Sequence, residues 1–254
     1  MHISIEQHGT VRVLRWDRPE KRNAITASMY THMAELLTVA GNDDGVRAVV
    51  LMGTEKAFSA GNDVEDFLRH PPLGANAPVL HFLATISTFA KPLLAAVRGA
   101  AAGVGSTMLL HCDLVFASDD ARFSFPFTQL GLCPEAGSSL LLPRLVGHQR
   151  AAELLLLGEP FNAQEAHRIG MVNRVVASVE VEPMALNQAQ KLALLPASAV
   201  VATKALLKGN AGDSVAMRIE NESAQFGRLL QQAAAQEAFK AFAEKRAPRF
   251  QDID

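Results

Sequence analysis

Chemistry in this chain would start from one acidic side chain and two glycine turns. The segment Phe123-Ser124-Phe125-Pro126-Phe127-Thr128-Gln129-Leu130-Gly131-Leu132-Cys133-Pro134-Glu135-Ala136-Gly137-Ser138-Ser139 sets Glu135 directly after a proline, in apolar, glycine-spaced surroundings. Partial desolvation there would make its carboxylate a better base. A carboxylate that only complements the dipole of a following helix is the commoner role for such a residue, and pattern alone leaves it ahead. The turns are Phe58-Ser59-Ala60-Gly61-Asn62-Asp63 and Gly99-Ala100-Ala101-Ala102-Gly103-Val104-Gly105, each after an expected strand and before an expected helix. Glycine admits positive φ and close approach of a ligand, and a helix start presents unpaired N–H groups. Two such turns facing each other could form an anion or oxyanion site, whereas ordinary turn chemistry explains either one taken singly. Gly103-Val104-Gly105 lacks the third glycine of a dinucleotide fingerprint.

Other chemistries fit less well. No GxSxG elbow accompanies Ser138, Ser139 and the histidines, so a Ser-His-Asp triad is rejected. His111-Cys112-Asp113 has no second ligand cluster at metal spacing, and Cys112 and Cys133 form no CxxC pair, so neither a metal nor a disulfide scaffold is expected. Lys plus Arg total 24 against 26 Asp plus Glu, without a basic block to neutralise phosphates, which argues against nucleic acid. No apolar run reaches the roughly 18 residues of a membrane span. The first residues, MHISIEQHGTVRVLRW, carry no leader pattern, so the expected location is the cytoplasm.

The elements that must position these residues follow from periodicity. Ile3 and Ile5, then Val11, Val13 and Trp16, alternate around His8-Gly9-Thr10 and predict an antiparallel hairpin. The polar loop DRPEKRNAIT follows, and Thr26 caps an expected helix to about Ala40 whose apolar face uses Met29, Met33, Leu36 and Leu37. Val46 to Met52, Leu93 to Val97 and Leu114 to Ala117 are short apolar runs expected as strands covered on both faces. Their alternation with helix-length segments predicts an α/β core. Beyond about Ala151 leucine- and alanine-rich helical periods dominate, interrupted by MVNRVVA. The 254 residues, 49% hydrophobic, suffice equally for one α/β body with an appended helical piece or for two domains, and length alone does not choose.

Taken together in order and spacing, Asp17-Arg18-Pro19-Glu20-Lys21-Arg22-Asn23-Ala24, FSAGND, PLLAAVRGAAAGVG, CDLVFAS, GLCPEAGSS and Phe242-Ala243-Glu244-Lys245-Arg246 resemble the crotonase superfamily, the enoyl-CoA hydratase/isomerase family. The resemblance covers essentially the whole chain. It implies an α/β fold, a crotonase-like spiral of ββα units over residues 1–195, with a C-terminal helical trimerisation region over 196–254. The implied partner is an acyl-CoA thioester, with coenzyme A part of the substrate and no separate cofactor, in a homotrimer or a hexamer made of two trimers.

By position, the resemblance carries over an oxyanion hole to the main-chain N–H groups of Asn62 and Val104, the latter near a helix start. It assigns coenzyme A contacts to Lys21, Arg22, Ala24, Ala60, Asp63, Val64 and Gly103, and to Phe242 and Lys245 on the helix by which a neighbouring subunit closes over the ligand. Acyl-chain walls are expected from Phe67, Leu68, Phe82, Phe127 and Leu132. Where family hydratases use two glutamates to add water, this chain has Thr107 and Phe127, neither of which exchanges a proton as a carboxylate. Glu135 instead falls where the peroxisomal-type Δ3,Δ2-enoyl-CoA isomerases carry their base, which implies double-bond migration by a single carboxylate. The rival readings are hydration, hydrolysis or another acyl-CoA lyase reaction on the same fold, and an acyl-CoA-binding relative without turnover.

Overall fold

A computed structural model describes residues 2–69, 77–209, 228, 232–244, 246–250 and 253 of the chain. Its strands are β1 (Ile3–His8), β2 (Val11–Trp16), β3 (Ala48–Met52), β4 (Ala57–Ser59), β5 (Leu93–Val97), β6 (Ala100–Ala102), β7 (Leu114–Ser118), β8 (Arg122–Ser124), β9 (Phe161–Asn162) and β10 (Arg174–Val176). The helices are α1 (Ala27–Asn42), α2 (Val64–Arg69), α3 (Pro78–Thr88), α4 (Val104–Thr107), α5 (Ser138–Val146), α6 (His148–Ala152), α7 (Ala163–Arg168), α8 (Val181–Ala193), α9 (Ala197–Leu207) and α10 (Ala233–Ala243).

From β3 to β8, consecutive strands alternate between two sheets. β3, β5 and β7 enter a six-stranded sheet of order β1-β2-β3-β5-β7-β10, whereas β4, β6 and β8 enter a four-stranded sheet of order β4-β6-β8-β9. Each strand pair is thus a corner, and the chain turns from one sheet to the other before a helix leads back: this is the ββα spiral. Parallel pairing joins β2 to β3, β3 to β5 and β5 to β7, which requires both faces to be covered.

The residues of β3 show how both faces are filled. Val49 and Leu51 enter the main core with α1 and α3, while Ala48, Val50 and Met52 point the other way, onto Val181, Ala185 and Ala189 of α8. A period of two therefore divides one continuous apolar run between two cores. The expected strand began at Val46; the ladder begins at Ala48, because the Val46 N–H closes a turn on the Asp43 carbonyl at 2.9 Å.

The hairpin pairs His8 with Val11, leaving Gly9, at φ +63°, and Thr10 as its turn. Thr26 caps α1 by accepting the Met29 N–H, and the buried stripe is Met29, Tyr30, Met33, Ala34, Leu37 and Ala40. Leu36 lies on the flank of that stripe, only partly buried, so the apolar face is rotated toward Tyr30 relative to the sequence expectation.

Candidate active site

The first turn follows β4 and is tied to the start of α1. Ile25 N–H donates to the Gly61 carbonyl at 2.8 Å, and Asp63 N–H donates to the Ile25 carbonyl at 2.9 Å. These bonds bracket Asn62, whose own N–H has no partner among the described residues. Beneath it the DRPEKRNA loop acts as a brace. Asn23, buried at φ +56°, donates its side-chain amide to the Ala57 carbonyl at 2.8 Å and accepts the Arg18 N–H at 2.8 Å. Arg18 bonds the Asp63 carboxylate at 2.6 Å and the Ala24 carbonyl at 3.0 Å. That guanidinium and the Asp66 N–H hold the Asp63 carboxyl below its ordinary pKa, the Asp66 bond contributing most.

The second turn follows β6. Gly103, at φ +54°, donates its N–H to the Ser124 carbonyl at 3.1 Å, and Ser106 Oγ donates to the Ala101 carbonyl at 2.6 Å. Val104 is the first residue of α4, where an amide has no intrahelical acceptor. Because α4 has four residues and passes into a 3-10 turn at Met108–His111, the dipole expected behind Val104 is that of about one turn. The Val104 N–H has no partner among the described residues.

The two turns interlock through glycine. A Cβ on Gly61 would stand 2.8 Å from the Ala102 carbonyl oxygen, and one on Gly105 would stand 2.5 Å from that of Ser59. Both distances are shorter than a side chain tolerates, so these positions bring the Asn62 and Val104 peptides into one neighbourhood.

Glu135 approaches from the loop before α5. Its backbone carbonyl accepts Ser138 N–H at 2.9 Å and Ser138 Oγ–H at 2.6 Å, and its carboxylate accepts Thr107 Oγ1–H at 3.0 Å. Thr107 lies three residues after Val104 on the same helix, so the acid reaches the turn that carries the free amide. Burial raises the Glu135 pKa above its ordinary value, and the Thr107 hydroxyl opposes this in part. Ala136 takes φ +56°, a left-handed conformation unfavourable for a residue with a Cβ. His111 Nε2 lies 2.8 Å from the Ala136 carbonyl. A carbonyl only accepts, so that nitrogen carries the proton, and burial lowers the His111 pKa.

Two residues in this neighbourhood were given no part in the site from sequence. One is His111, weighed there only within a His111-Cys112-Asp113 cluster that lacks metal-site spacing. The other is Tyr30, whose hydroxyl donates to Asn62 Oδ1 and whose pKa is raised well above its ordinary value by burial and, secondarily, by the Glu135 charge. Its signal was a phenol on an apolar helix face, since a buried tyrosine needs a partner for its hydroxyl.

The remaining expected positions fall as follows. Lys21 ends the short turn Pro19–Lys21 and Arg22 follows it, both exposed, and Val64 is exposed at the start of α2. The N–H groups of Ala60 and Asp63 are committed to the carbonyls of Arg22 and Ile25. The Asp63 carboxylate accepts from Arg18 and from the Asp66 N–H. Phe242 lies on α10 with its side chain outside the described residues, and Lys245 lies outside them entirely. Phe127 is buried, Leu68 and Leu132 are exposed, and Phe67 is half-buried. Phe82, expected as a cavity wall, is fully buried between Trp16 and Tyr30, with ring centroids 6.1 and 5.4 Å away. It is core, because flanking a motif in sequence carries no information about depth.

Similarity to known proteins agrees with this architecture. The family profile "Enoyl-CoA hydratase/isomerase" matches residues 6–253. A Rhodobacter capsulatus protein provisionally named as an enoyl-CoA hydratase is 35% identical over 244 residues, covering 94% of this chain and 93% of its own. Rat enoyl-CoA delta isomerase 2 is 36% identical over 214 residues, 82% of this chain and 54% of its own. A solved structure from Magnetospirillum magneticum AMB-1, provisionally named enoyl-CoA hydratase/carnithine racemase, superimposes with a TM-score of 0.95 at 44% identity, covering 98% of both chains. The chain belongs to the enoyl-CoA hydratase/isomerase family and has the crotonase fold. An acyl-CoA thioester is the substrate class consistent with that membership.

Proposed function

We propose that the protein is an acyl-CoA double-bond isomerase that converts 3-enoyl-CoA to 2-enoyl-CoA with Glu135 as its single base. The observation that carries this reading is the Thr107 hydroxyl at 3.0 Å from Glu135. Thr107 stands where family hydratases have a glutamate, and it solvates the remaining carboxylate instead of supplying a second one. Phe127, at the other such position, is buried hydrocarbon.

In the proposed reaction the thioester oxygen faces the Asn62 and Val104 N–H groups. Glu135 takes the C2 proton, and the electron pair spreads through the thioester carbonyl and the C3=C4 bond as a dienolate. Fixed donors stabilise that charge without reorganising, each worth about 2.7–4 kcal/mol in comparable sites. The protonated Glu135 then delivers its proton to C4, and the double bond closes between C2 and C3. One carboxylate with a raised pKa suits both half-steps, since it must accept and then release the same proton.

The same reading extends to binding. Lys21, Arg22, Ala24, Ala60, Asp63, Val64 and Gly103 would contact the coenzyme A portion, and Phe242 and Lys245 would do so across a trimer interface, in a cytoplasmic homotrimer or hexamer. The deciding experiment offers the purified protein 3-enoyl-CoA and 2-enoyl-CoA with the same acyl chain. Bond migration much faster than hydration is the expected result; faster formation of the 3-hydroxy product would overturn the assignment. Coenzyme A ester binding with no product from either, unaffected by Glu135→Ala, would identify a non-catalytic relative.

A further inference from the structure

We propose that Tyr30 is a positioning residue for the oxyanion turn, its hydroxyl bond to the Asn62 side chain locking the peptide that presents the Asn62 N–H. The inference rests on the reading of Asn62 as an oxyanion donor. Gly61, at φ +93°, gives the turn a conformation that few residues adopt, and the ladder to Ile25 bonds the residues on either side of Asn62 but not Asn62 itself. The anchor of that residue among the described hydrogen bonds is Tyr30 Oη–H to Asn62 Oδ1. Tyr30 is well placed to transmit rigidity. The residue is 3% exposed, its ring packed on Phe82, and it is carried by the helix that follows Ile25, which also holds the turn. A third tie, Ala27 N–H to the Asp66 carboxylate at 2.7 Å, fixes α2 to the same helix end. The beginning of α1 therefore clamps the stretch from Gly61 to Asp66 at three places. Burial keeps the phenol un-ionised, so it remains a donor at every pH at which Glu135 works as a base.

The test compares wild type, Tyr30→Phe, Asn62→Ala and the double variant, each checked for an unchanged melting temperature. Two readouts are used: steady-state isomerisation, and the infrared carbonyl band of a bound acyl-CoA carrying 13C at the thioester carbon, which reports polarisation of the carbonyl. Tyr30→Phe keeps the ring and removes one hydrogen bond, so kcat is expected to fall about tenfold with KM within about twofold. The carbonyl band should move back toward its position in water, and the acid limb of the pH profile should not move, because the phenol carries no charge. In the Asn62→Ala background Tyr30→Phe should cost nothing further, since the two residues act as one unit. An unchanged band and kcat in Tyr30→Phe, or a full additional loss in the Asn62→Ala background, would overturn the inference. If wild type polarises the carbonyl yet moves no double bond, the isomerase reading fails and the band alone decides the role of Tyr30. If wild type leaves the carbonyl unpolarised, both the oxyanion reading and this inference fall.

Discussion

The two interlocked glycine turns and the loop that carries Glu135 solve the same problem, holding a group still, by different means. The turns present main-chain N–H groups, and what fixes them is the absence of side chains: Gly61 and Gly105 leave room for the Ala102 and Ser59 carbonyls. The acid loop presents a side chain, and what fixes it is a set of hydrogen bonds from Thr107, Ser138 and His111, the last to the carbonyl of a strained Ala136. The turns depend on backbone geometry, supported at Asn62 by the side-chain bond to Tyr30, and admit no added carbon at Gly61 or Gly105. The acid loop shows the reverse sensitivity, since in the proposed reaction it acts through one carboxylate whose pKa burial raises and Thr107 lowers.

The sharpest way to separate the two regions is Glu135→Gln, which keeps shape and removes the base. Isomerisation should fall by about 10²–10⁴, the range for a positioned general base, while acyl-CoA binding persists; rapid-mixing assays and equilibrium binding check both. The turns should break differently. Gly105→Ala forces a Cβ against the Ser59 carbonyl, so the turns must part, and a loss of about 10²–10³ in kcat is expected, that of one oxyanion donor. A lowered melting temperature should accompany it, which Glu135→Gln should not show.

A smaller effect distinguishes how the acid is tuned. Burial raises the Glu135 pKa, so the rate should fall on the acid side at a pH above the ordinary glutamate value of about 4.3. Thr107→Val removes the hydrogen bond that favours the ionised form, and the acid limb should move to still higher pH. A limb that moved down would show that Thr107 does not solvate the carboxylate.

The smallest effect concerns stability. A carboxyl with a raised folded-state pKa binds more protons folded than unfolded, so its ionisation destabilises the fold as pH rises from the unfolded pKa through the folded one. Glu135→Gln should therefore be more stable than wild type at neutral pH, and the difference should vanish at pH values below the ordinary glutamate pKa. Denaturant titrations at the two pH values measure this.

The sequence made the local elements legible and left the packing hidden. The hairpin, β5 and the Thr26 cap follow from alternation and capping chemistry, which involve residues close together in the chain. The two glycine turns were visible as turns, but their interlocking depends on carbonyls distant in sequence, that of Ala102 against Gly61 and that of Ser59 against Gly105. Glu135 could be preferred over a helix-dipole carboxylate only through the family resemblance, because burial by tertiary contacts is what raises its pKa. Tyr30 was missed, and Phe82 was misplaced as a cavity wall, for a shared reason: an apolar face in sequence does not show which of its members reach the site and which fill the core behind it.

Solvent-deuterium exchange at C2 of a bound saturated acyl-CoA tests the central claim most directly, because it reports proton removal without requiring the double bond to move. Wild type should exchange the C2 proton and Glu135→Gln should not. Exchange that persists undiminished in Glu135→Gln would contradict the account, since another group would then be the base.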